Sequence, residues 1–258
     1  MSMLDLAAGT RRVRGLALTN TRLLLRNRLA ACYAFAVPLL AFVALTTEDP
    51  GAPGAGLATV ATVLTLALLF PVYYNMLSVV VTRRDELVLK RLRTGEVRDG
   101  EILVSLALPG VGIAVLICLI AMVATPVLGF AAPANPVVML LGMLVACCAF
   151  VAMALWTAAW TRNAEAAQLT SAPVMLLTTA GLFRVLLPAS AQDWAVLLPG
   201  AAVEEVVQAA WFGLSDDGSR LSLLDTCTAA GPGLAVLLGW TVLGVWLALR
   251  SMPWEPRT

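Results

Sequence analysis

The side chains best suited to act on something crowd into residues 82–104, TRRDELVLKRLRTGEVRDGEILV. This stretch holds six of the 17 basic residues, including the only lysine, Lys90. Arg83, Arg84, Lys90, Arg91 and Arg93 stand with Asp85 and Glu86, and Leu87, Leu89 and Leu92 are interleaved among them. Such a set offers charge-complementary contact: a short charged helix, stopped at Gly95, fits a groove on a soluble partner. Charge alone leaves a second reading open, a solvated loop on the inner membrane face.

Other chemistries find little support. The chain has no histidine, the usual acid–base group at neutral pH and the commonest metal ligand. Its five cysteines (Cys32, Cys118, Cys147, Cys148, Cys227) lack metal-ligand or redox spacing and read as small packing residues. No GxxxxGK[ST] loop is present to cradle a nucleotide. Coupling to an ion gradient commonly uses ionisable groups at membrane depth, which cost ~2.5–3.5 kcal/mol or more each and persist for function. The apolar runs here lack Asp, Glu, Lys and His; Arg184, at the end of the fifth, can snorkel to the outer surface. An intramembrane enzyme is equally poorly served. Neutral oxygen ligands leave sodium coupling open, but a partner chain is the better-supported source of energy.

The elements that must position the charged stretch are membrane helices. Hydrophobic residues make up 60% of the 258-residue chain and charged residues 13%, about half the soluble share, and mean hydropathy is +0.88. Six runs approach the ~20 apolar residues a span needs: 29–46, 57–81, 102–129, 137–160, 167–187 and 229–249. The third is long and holds Pro109 and Pro126, which predicts that it is kinked or starts outside the core. Residues 10–28 mix arginines with leucines and read as an amphipathic helix on the inner surface, or as a plain positive anchor. No cleavable leader is apparent. With both termini cytoplasmic, 15 of the 17 basic residues face inward, leaving Arg184 and Arg220 outside. Glu48, Asp49, Asp193, Glu204, Glu205, Asp216, Asp217 and Asp225 fall on the outer side. The expectation is an all-α polytopic membrane protein, one transmembrane domain over 1–258, with a charged cytoplasmic loop at 82–101 that holds a short helix. Sixteen arginines against one lysine, with abundant alanine, suit a GC-rich bacterial genome.

Leu89, Lys90, Arg91, Leu92, Arg93, Thr94 and Gly95, in that order, resemble the coupling helix of permeases in the type-2 ATP-binding-cassette exporter class. Glu96 stands where that family often has proline. Arg98-Asp99-Gly100-Glu101-Ile102-Leu103 resembles the start of its third span, and Arg22-Leu23-Leu24-Leu25-Arg26-Asn27-Arg28-Leu29, then Val37-Pro38-Leu39-Leu40, its approach to the first. Thr161-Arg162-Asn163-Ala164-Glu165-Ala166-Ala167-Gln168 is similar to its turn between spans four and five. Gly181-Leu182-Phe183, Leu187-Pro188, Trp194 and Leu198-Pro199-Gly200 look like its fifth span and outer segment, with Arg184 replacing an apolar residue or proline.

The resemblance implies two six-span subunits and a separate ATPase that binds ATP and Mg, with no catalytic residue in this chain and no nucleic acid. It implies ATPase contact at Arg83, Arg84, Glu86, Lys90, Arg91 and Arg93, and a second contact at Arg162 and Glu165, a turn that also reads as merely solvated. Residues 189–214, with Trp194, Trp211 and Phe212, are expected to form an outer re-entrant segment, or else an interfacial aromatic loop. Tyr73, Tyr74, Asn75, Met153, Trp156, Trp160 and Phe183 are candidates for an apolar substrate path, although such residues in spans more often pack. No fixed charge selects a charged substrate, which favours a lipophilic one: a drug, a lipid or a natural product. The competing reading is a non-transporting membrane protein, an immunity or sensory partner.

Overall fold

Inside hydrocarbon every backbone N–H and C=O has to be satisfied within the chain, and long apolar segments meet that demand as helices. The computed structural model describes residues 3–52, 54–93, 97–215 and 217–251, and among these there is no strand, only an isolated bridge between Leu214 and Arg220. Five helical stretches are long and apolar enough to cross a membrane: Arg28–Thr47, Leu57–Asp85, Asp99–Val127, Pro136–Trp160 and Gly231–Ser251. The fold is all-α and polytopic.

Helix α1 (Met3–Arg26) precedes the first span. Its register on the body is set by polar ties to α6 (Asp99–Val127): Arg12 grips Glu101 through two 3.1 Å hydrogen bonds, and Asn20 Nδ2 donates to Ser105 O at 2.8 Å. Asn27 then ends α1 and caps α2 (Arg28–Leu40), its side chain accepting from Ala30 N–H at 3.2 Å. A 3-10 turn, Ala41–Thr47, completes the first span.

The second span is three pieces in line. Helix α3 (Leu57–Ala67) runs into a π-helical segment, Leu68–Tyr74, and then α4 (Asn75–Asp85). Pro71 explains the π segment, because it has no N–H to give the preceding turn. The wide turn lets α6 come close: a Cβ on Gly110 would collide with the Pro71 carbonyl, so only glycine fits there. Despite Pro109 and Pro126, α6 is a single helix of 29 residues.

Helix α7 (Pro136–Trp160) starts at Asn135, whose side chain caps Val138 N–H, and packs along α13 (Gly231–Ser251) through small residues such as Ala152 and Gly244. Met143, Phe150 and Met153 of α7 are buried in the core that α3, α4 and α6 share. At the C-terminal end of α13 the Arg250 guanidinium stacks 4.1 Å from the Trp246 ring.

The expected span at 167–187 is interrupted. It comprises α8 (Ala166–Thr170), α9 (Ala172–Leu182) and a 3-10 turn, Arg184–Leu186. Pro173 removes one ladder hydrogen bond and breaks the helix in two. Short helix α10 (Ala189–Ala195) follows, and α11 (Pro199–Ala210) turns back into the body against α9, α13 and α3. Gly200 permits the crossing, since a Cβ there would strike Thr178 O. Trp211 is wholly buried and donates to Ala131 O at 3.1 Å, whereas Trp194 is exposed. Arg184, the departure from pattern noted above, has acidic partners on α11: Glu205 at 3.2 Å and Glu204 at 3.9 Å.

Candidate coupling elbow and membrane cavities

The charged stretch forms an elbow. Helix α4 ends at Asp85, the chain turns through Glu86 and Leu87, and α5 (Val88–Arg93) sets off in a new direction. The corner is Leu87, whose φ of 60° places a side-chain-bearing residue in the left-handed region. Leu89 is fully buried and pins α5 to the body, while Lys90 and Arg91 are exposed on its outer side. Of the interleaved leucines, Leu89 anchors while Leu87 is exposed, and the two basic residues after Leu89 project. The Leu92 and Arg93 side chains, and Thr94, Gly95 and Glu96, lie outside the described residues.

Arg84 does not face out. It is 1% exposed, and its guanidinium reaches the C-terminal end of α7. Nη1 donates to Ala158 O at 2.9 Å, and Nη2 donates to Thr161 O at 2.5 Å and Arg162 O at 3.1 Å. Those carbonyls belong to the last turn and exit of a helix, where no intrahelical donor remains and the helix dipole is negative. Expected as part of a partner contact, Arg84 is instead an internal joint; charge counting cannot distinguish an arginine that caps a neighbouring helix from one that projects.

The joint ties together the two segments expected to meet a partner. Arg162 and Glu165 are exposed in the turn after α7, which Asn163 orders by accepting from Ala166 N–H at 2.8 Å. Thr161 Oγ1 donates to Thr157 O and pairs with Thr170 Oγ1 at 2.7 Å. The elbow and this turn, distant in sequence, therefore share one guanidinium. Arg83 faces the other way, with Nη2 donating to Asn20 Oδ1 at 2.7 Å.

The candidate path residues do not form one surface. Tyr73 is fully buried, its hydroxyl donating to Thr157 Oγ1 at 3.1 Å, so it packs rather than lines a path. Trp156 and Trp160 meet edge to face with ring centres 5.9 Å apart. With Thr157, Thr170, Pro173 and Val174 they border a cavity of about 340 Å³, where Trp160 is 61% exposed. Met153 and Trp156 border a smaller apolar one of about 180 Å³ toward α13. Phe183 is exposed just after α9 and lines neither cavity. Tyr74 and Asn75 are half-buried. Asn75 belongs to a third cavity, of about 240 Å³, which Asn20, Ser78, Thr82 and Arg83 also line. The sequence reading missed Asn20, Ser78 and Thr82; the signal for the last two was a polar file at helical spacing, at 75, 78 and 82, across the inner boundary of the 57–81 run.

Comparison with curated proteins gives no match. Residues 41–250 match the family model described as "ABC-2 family transporter protein". That match spans most of the chain, from the end of the first span to the end of the last, and agrees with an all-helical fold rich in apolar spans. The protein belongs to the ABC-2 transporter family, as a membrane subunit of an ABC transporter.

Proposed function

We propose that this chain is the permease of an exporter that moves a lipophilic substrate outward. ATP is hydrolysed, with Mg, by a separate ATPase that docks on the elbow, and a second six-span subunit completes the pathway. Both termini are cytoplasmic in this reading, which puts α5 and the turn after α7 on the same inner face. The observation that carries it is the Arg84 joint. A push on α5 reaches α4 through Leu89 and the corner at Leu87, and Arg84 passes it to the end of α7, which packs along α13. Lys90, Arg91 and Arg93 supply the charge for docking, Glu86 stands at the start of the elbow, and Arg162 and Glu165 flank it from the second segment.

The test is to reconstitute the chain with its cognate ATPase in vesicles and reverse charge at Arg91 and Arg93. The chain alone should hydrolyse no ATP. The variant should lower substrate-stimulated hydrolysis, and unchanged stimulation after the reversal would sink the docking assignment. A purification that brings down no ATPase at all would favour the non-transporting alternative.

A further inference from the structure

We infer that the cavity between α1, α4 and α6 is a binding site for the head of a lipid-tailed molecule, with a neutral or zwitterionic head rich in hydroxyl or amide groups. The inference deepens the proposed function, resting on its lipophilic substrate, and assigns the inner-leaflet site where that substrate is first held.

The argument starts from hydrogen bonds not made. Thr62, Thr125, Thr157, Thr178 and Thr241 each satisfy their hydroxyl on the carbonyl four residues earlier. Asn75, Ser78 and Thr82 do not: among the described residues none of the three has a side-chain hydrogen-bond partner. They are also not sealed in packing, since all three line the 240 Å³ cavity and are half-buried. Spacing of three and four residues puts them on one face of α4. Their amide and hydroxyl groups therefore open onto one space, where they are available to a polar group that enters it.

The file has a direction. From Glu86 at the elbow to Asn75 is about 16 Å of helix, roughly half the ~30 Å hydrocarbon core. Leu24 of α1 and Leu106 of α6 make apolar wall beside it. Arg83 and Glu86 stand at its inner end with opposite charges, so the mouth has no net sign to select an anion or a cation. Amides and hydroxyls above, balanced charges at the mouth and leucine alongside match an amphiphile: head in the file, tail along the leucines. Because Arg83 and Glu86 also belong to the elbow, filling the cavity bears directly on the element proposed to meet the ATPase.

The test is photocrosslinking of the purified chain in phosphatidylcholine nanodiscs. The probe is a glucosyl diacylglycerol carrying a diazirine on the first part of one acyl chain, and labelled peptides are mapped by mass spectrometry. Label is expected on the segments holding Leu24 and Leu106, with competition by unlabelled glucosyl diacylglycerol and none by plain diacylglycerol. The variant Asn75→Leu with Ser78→Ala and Thr82→Val is expected to reduce that label about tenfold, each lost hydrogen bond contributing a factor of a few. These side chains have no partner to orphan, so the fold should survive, as gel filtration would show. Val79→Trp, which fills the same space and leaves the polar file intact, is expected to give the same loss. Label spread evenly over lipid-facing helices, or unchanged in both variants, overturns the site. Stronger label from a phosphatidylglycerol probe overturns the neutral head. No ATPase is present, so label at the site in a protein that exports nothing would uphold the site and count against the export reading alone.

Discussion

Replacing Arg84 should unseat the protein without touching its partner. In Arg84→Met the three carbonyls at the end of α7 lose their donor, and two of them, on Ala158 and Thr161, belong to buried residues. Removing a charged partner from buried acceptors costs about 3–5 kcal/mol. At about 2–4 °C per kcal/mol for a chain of this size, Tm should fall on the order of 10 °C. Arg84→Lys keeps the charge but offers a point donor on a different stem, so it should recover less than half of the loss. Thermal unfolding in detergent measures the stability, and titration with the cognate ATPase measures docking. ATPase affinity should stay within about threefold of the wild type, a change below ~0.7 kcal/mol, because a side chain this buried cannot be reached. Substrate-stimulated hydrolysis should collapse, because the push on α5 no longer reaches α7. An unchanged Tm together with weakened ATPase binding would refute the reasoning and return Arg84 to the docking surface.

Three further outcomes follow from local geometry. At the elbow, Leu87→Gly should be neutral or slightly stabilising, while Leu87→Val should lower stability by about 1–2 kcal/mol, since a β-branched residue resists the left-handed region; equal Tm values for the two would remove the strained corner. Gly110→Ala should cost about 1–3 kcal/mol because its Cβ meets the Pro71 carbonyl, whereas Gly112→Ala, with open space around it, should be tolerated in the same helix; a reversed order would mean that α6 and the π segment are not in contact. On α11, burial raises the affinity of Glu204 for its proton, with Arg184 opposing and Glu205 adding to the rise. A carboxyl whose folded pKa is raised contributes stability below its unfolded pKa that is lost as pH rises through the folded one. Glu204→Gln should therefore flatten Tm between acidic and neutral pH and raise it at neutral pH, and a Tm that falls at neutral pH would show that the Arg184 contact dominates.

Much of the fold was legible because membrane helices are written in composition. Spans at 57–81, 102–129, 137–160 and 229–249 emerge as long helices, since an apolar run in lipid has few other ways to satisfy its backbone. The run at 167–187 was less legible, because hydropathy does not register the bond that Pro173 removes. The candidate site divides in the same way. The mixture of leucines and charges was legible, but which leucine anchors was not: Leu89 is buried and Leu87 exposed. The fate of Arg84 depends on where α7 ends, on Tyr73 pairing with Thr157, and on the π segment that rotates α4 by part of a turn, none of which local sequence encodes. Asn75 was legible as a candidate, whereas Ser78 and Thr82, further along the same helix face, carry no aromatic neighbour to draw attention to them.

In the docking proposed above, the elbow needs an outer face to receive the ATPase and an inner face that does not yield. Alternating residues provide both from one short segment: Lys90 and Arg91 outward, Leu89 and Arg84 inward. A leucine alone would let α5 slide along an apolar surface, because burial is not directional. Three hydrogen bonds in a fixed fork leave α4 few positions relative to α7. Arg83 anchors the opposite side of α4 to α1 through Asn20, and Asn20 in turn to Ser105 of α6. Two adjacent arginines thus clamp one helix between two others, and a displacement of α5 has to move α7, α1 and α6 together or break a buried hydrogen bond.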